Sequence, residues 1–75
     1  MFLFGKFKTF TKEELLHIAR GECSAHGWPW LEPVDVQDRI FTWIVYTNSE
    51  RMGMNVEVHI SKRTGKVVAG RFHPR

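Results

Sequence analysis

Seventy-five residues, with eleven Lys and Arg against eight Asp and Glu and a formal net charge of +3, leave room for one domain and no second. A chain this short lies near the size at which a single hydrophobic core must suffice, and its one cysteine, Cys23, excludes an internal disulfide and fits a reducing compartment. No repeat and no Ser/Gly/Pro-rich tract sets any part aside, so nearly every residue is needed to build one core.

Residues 1 to 10, MFLFGKFKTF, hold Phe2, Phe4, Phe7 and Phe10 together with Lys6 and Lys8, and no acid occurs before Glu13. Gly5, Lys6 and Lys8 break the apolar run too early for a secretory signal. Nowhere does the chain approach the roughly twenty apolar residues of a membrane span. These features predict a cytoplasmic protein with no membrane partner. Charge is segregated: all eight acids lie between Glu13 and Glu57, and after Glu57 the fixed charges are Lys62, Arg63, Lys66, Arg71 and Arg75. If the two basic ends meet in space, they form a basic face.

A helix is predicted over residues 11 to 27. In FTKEELL, Thr11 stands as N-cap, Glu14 completes a capping box and Phe10 can staple onto Leu15. Gly27 is the expected left-handed stop, with Pro29 just beyond it. Steps of 100° gather Leu15, Leu16, Ile18, Ala19, Cys23 and His26 on one face and leave Glu13, His17, Arg20 and Ser24 on the other.

GWPW reads as an aromatic loop, and residues 28 to 75 then read as that loop followed by strands. LEPVDVQ alternates at Val34 and Val36, and IFTWIVYT is a strong β run. Parity sends Phe41, Trp43 and Val45 toward the helix and Ile40, Ile44 and Tyr46 the other way. MNVEVHIS places Met54, Val56, Val58 and Ile60 inward, with Asn55, Glu57, His59 and Ser61 outward. SKRTGK is a turn with Gly65 at positive φ, which makes the last two strands a hairpin. The expected fold is α+β: one N-terminal helix on a four-stranded antiparallel meander, with the option of an extra N-terminal strand.

The run T-K-E-E-L continuing into I-A-R, followed by strands and a closing hairpin I-S-K-R-T-G-K-V, resembles the PepSY family and related small α+β immunity-type domains over residues 11 to 72. The family usually carries an acid where Ser61 stands. The resemblance implies peptidase inhibition or regulation, in domains that are mostly exported.

Catalytic signatures are missing: Cys23 points to the core, where burial makes a thiol inert, and no phosphate loop or paired carboxylates occur. No cofactor or metal is expected. Cys23 and His26, with His59 and His73, form only a weak zinc pattern that His17 cannot join. Trp28 and Trp30 serve either as a stacking platform or as lids on the core. The second strand is apolar on both sides, so something should cover its far face. Phe2, Phe4 and Phe7, with Ile44 and Tyr46, are therefore predicted as a core cover or a partner-binding surface. The function expected is a non-catalytic protein-binding or regulatory module, inhibitor- or immunity-like, meeting another protein or a second copy of itself. The alternative is nucleic-acid binding through Lys6, Lys8, Lys62, Arg63, Lys66 and Arg71.

Overall fold

A computed structural model describes residues 9–74. Helix α1 spans Lys12–His26 and is followed by strands β1 (Asp35–Asp38), β2 (Thr42–Tyr46), β3 (Asn55–Ser61) and β4 (Val67–His73). The strands pair in chain order, all antiparallel, and α1 lies across one face. This is the helix-on-meander fold expected of the sequence. An extra N-terminal strand would fall on residues outside those described.

The helix begins and ends where its local chemistry dictates. Thr11 accepts from the Glu14 N–H at 3.1 Å, and Glu14 accepts from the Thr11 N–H at 2.8 Å, so two otherwise unpaired donors are satisfied. Gly27, at φ 71°, turns the chain out of the helix, and the Trp28 N–H closes back on the Cys23 carbonyl at 2.9 Å. Phe10 packs against the cluster that contains Leu15 and meets Trp43 edge-on, with ring centroids 5.5 Å apart. Gly65, at φ 76°, lies against that ring: a Cβ there would sit 2.5 Å from Phe10 Cζ.

Leu15, Ala19 and Cys23 from α1 interlock with Val45, Val56, Val58 and Ile60 from the sheet to form the buried core. Val36, Val45, Val58 and Gly70 lie across the strands in one row beneath the helix. Trp28 and Trp30 are half-buried at its margin, where Trp28 stacks between His26 and Phe72 and Arg20 lies 5.0 Å over Trp30. They act as lids.

Three inward assignments and one outward assignment from strand and helix period are corrected. Phe41 does not face the helix: β2 starts one residue later, and Phe41 sits exposed in the turn with Ile40. Met54 precedes β3 at φ 58° and is exposed, because the strand period does not extend into a left-handed residue. Asn55, expected outside, is 2% exposed because its side chain holds the preceding loop. His26 is exposed and bonded to Glu22 at 2.9 Å, at the last helical turn where the apolar face has run out.

Candidate functional site

Opposite the helix, the sheet presents a mixed face that no described element covers. Its rows follow from the register. Asp35, Tyr46, Glu57 and Arg71 lie side by side across the four strands, and Gln37, Ile44, His59 and Ala69 form the next row. His73 pairs with Asn55 one step further. Ile44 and Tyr46 thus stand on the face that strand parity assigned to them, both half-buried among these neighbours.

Glu57 is the electrostatic centre of this face. Its Oε2 lies 2.6 Å from His59 Nε2 and its Oε1 lies 3.1 Å from His73 Nε2, so each carboxylate oxygen has its own imidazole. The His59 hydrogen bond, with a smaller contribution from His73, holds the Glu57 carboxyl below the usual carboxylate range against an opposing push from burial. A cavity of about 230 Å³ opens beside it, lined by Tyr46, Met52, Gly53, Asn55, Glu57 and His73. The group offers hydrogen bonds and a fixed negative charge beside an aromatic hydroxyl.

The weak zinc pattern does not assemble. Cys23 is sealed in the core, where burial and then the Glu22 charge push its thiol up, while His26 points outward to Glu22. His59 and His73 do come together, but on Glu57. Among the described residues no group of three or more His, Cys, Asp or Glu is placed to hold a metal ion.

The basic residues disperse. Lys62 pairs with Asp38 and lies 5.6 Å over the Trp43 ring, with most of its side chain shielded. Arg63 and Lys66 are exposed in the β3–β4 turn, where the Ser61 hydroxyl accepts from the Arg63 and Thr64 N–H groups. Arg71 belongs to the far face, five residues along β4 from Lys66, or roughly 15 Å at strand rise. Phe2, Phe4, Phe7, Lys6 and Lys8 lie outside the described residues.

Sequence reasoning missed the Glu57–His59–His73 cluster and the β2–β3 loop. E-V-H on a strand signals two side chains on one face, but His73 joins them only through the β3–β4 register, which no local pattern encodes. In the loop, Asn55 Nδ2 donates to the carbonyls of Thr47, Asn48 and Arg51 at 2.8 to 3.1 Å, and its Oδ1 accepts from the Gly53 N–H at 2.8 Å. Asn48 Nδ2 adds a bond to the Gly53 carbonyl at 2.9 Å. This buried framework holds a loop on which Met52 is 93% exposed.

Comparison of the chain with protein-family models, curated proteins and solved structures found no match.

Proposed function

We propose that this chain is a small non-catalytic module that binds another protein, or a second copy of itself, through the sheet face opposite α1. The observation that carries the reading is the position of Ile44 and Tyr46, side by side with the Glu57–His59–His73 cluster where no described element packs. An apolar pair beside a fixed charge and an aromatic hydroxyl combines contact area with orientation, as recognition surfaces do. An inhibitor- or immunity-like role is the form suggested by the resemblance to PepSY domains, by analogy of fold. The unpaired, buried Cys23 suits a reducing compartment, so the cytoplasm is part of the proposal.

The test is capture of partners from nuclease-treated native lysate, together with sedimentation of the purified chain, each repeated with Ile44→Ser/Tyr46→Ser. The variant should stay folded and lose a partner or a self-association that the wild-type chain shows. If wild type and variant behave alike in both measurements, the reading fails.

Nucleic-acid binding is the second reading, supported by the exposure of Arg63 and Lys66. It predicts affinity for oligonucleotides that falls steeply with salt and with charge reversal at these two residues.

A further inference from the structure

We propose that the turn-bearing end of the sheet, where β1 meets β2 and β3 meets β4, docks on an anionic lipid bilayer surface. Ile40 and Phe41 form the tip of the β1–β2 turn and are 76% and 70% exposed. Polar residues ordinarily occupy such a tip, and two adjacent bulky apolar side chains held in water are unfavourable unless another phase receives them. The tip is firmly held. The Arg39 N–H bonds the Thr42 carbonyl at 2.9 Å, and the Lys62 N–H bonds the Phe41 carbonyl at 3.0 Å, tying this turn to its neighbour.

The neighbouring turn brings cations to this end: Arg63 and Lys66 are exposed, Lys62 pairs with Asp38, and Arg39, next to Ile40 in sequence, donates from Nη2 to Gln37 Oε1 at 2.8 Å. At the start of α1, the exposed Glu13 and Glu14 stand beside Lys12 and supply the acidic charge of this end together with Asp38. The chain also enters the described structure at this end, because the Phe10 ring lies against Gly65 and Trp43.

Exposed apolar side chains in one turn and exposed cations in the turn bonded to it match the two components of peripheral membrane binding. The apolar groups enter the boundary between headgroups and acyl chains, and the cations meet the negative surface. A nucleic acid would use the cations but has no site for an aliphatic Ile40, since bases stack on planar rings. The expectation of no membrane partner rests on the lack of a signal and of a spanning run; no helix among the described residues is long and apolar enough to cross a membrane, and surface docking requires none.

The experiment is co-sedimentation of the full chain with vesicles of phosphatidylcholine alone and of phosphatidylcholine mixed with phosphatidylserine. Binding should require phosphatidylserine and weaken with salt, by about fivefold for each basic residue removed near the surface. Ile40→Ser/Phe41→Ser should reduce it at least about tenfold while leaving the melting temperature in place, since both side chains are exposed. Arg63→Glu/Lys66→Glu should reduce it as well. The proposal is overturned if phosphatidylserine vesicles bind no better than phosphatidylcholine, or if the serine variant binds as wild type does. It is equally overturned if the serine variant loses only self-association or oligonucleotide binding. The variants of the proposed protein-binding face, Ile44 and Tyr46, should leave vesicle binding unchanged, so the two readings fail separately.

Discussion

The two faces of the sheet use the same strands for opposite ends. Beneath the helix, Val45, Val56, Val58 and Ile60 are sealed with Leu15, Ala19 and Cys23, and the buried Thr47 hydroxyl at the margin accepts from the Val56 N–H at 2.8 Å. On the other side, one residue over in every strand, Ile44 and Tyr46 share the surface with Glu57, His59, Arg71 and His73. The difference teaches that β propensity alone does not mark the core of this molecule. β2 is apolar on both faces, and only the side that meets the helix is closed.

The sharpest way to break this contrast is to put the same charge on each face. Val58→Asp should abolish the cooperative thermal transition, because an unpaired buried carboxylate costs several kcal/mol in a domain whose total stability is of order 5 kcal/mol. Ile44→Asp should leave a folded protein with a lower melting temperature, read by circular dichroism. Equal losses would show that the far face is as closed as the near one.

Asn55 is the exception to the contrast, since it has the parity of the far face and the burial of the near one. Asn55→Ala would strand the Gly53 N–H and the loop carbonyls, and should cost about 3 kcal/mol in urea unfolding. A loss below about 1 kcal/mol would mean that water replaces the side chain there.

A smaller effect is expected where the edge of the near face meets the last hairpin. Gly65→Ala combines a left-handed backbone with a methyl group aimed at the Phe10 ring, and should cost about 2 kcal/mol. Phe10→Leu in the same background should restore part of that loss by relieving the contact.

The mildest test separates the faces by acid. Because folding lowers the Glu57 pKa, its contribution is complete above the unfolded carboxylate range and disappears as pH falls through the lowered value. Glu57→Gln should therefore be less stable than wild type near neutrality and converge with it in acid. Melting curves recorded from neutral pH down to pH 3 would show this, and a constant gap would remove the carboxylate from the account.

The helix and its limits were legible in the sequence because their signals are local: Thr11 and Glu14 lie one turn apart, and Gly27 needs only its own backbone. The β3–β4 hairpin was legible for the same reason, through Gly65. Strand parity placed Ile44 and Tyr46 but misled at strand ends, where Phe41 and Met54 belong to turns rather than to the pleat. Asn55 and the pairing of Glu57 with His73 were not legible. Each depends on where a distant segment comes to rest, the β2–β3 loop in one case and the end of β4 in the other. Truncation of residues 1 to 8 leaves the Thr11 cap intact, and it should lower the melting temperature if Phe2, Phe4 and Phe7 cover Ile44 and Tyr46 and leave it unchanged if they do not.

The register slip in β4 bears on how the protein behaves when concentrated. Between His59 and Ile60 the pairing skips Val68, so β4 carries one residue more than its partner needs. Among the described strands β4 and β1 are the outermost, and β1 is only four residues long with an aspartate at each end. A strand arriving from another molecule would meet a kinked ladder on one margin and a short, negatively charged one on the other. Fibril growth by copying the sheet edge is disfavoured on both margins, so a store of this protein should cloud through unfolding long before it seeds amyloid.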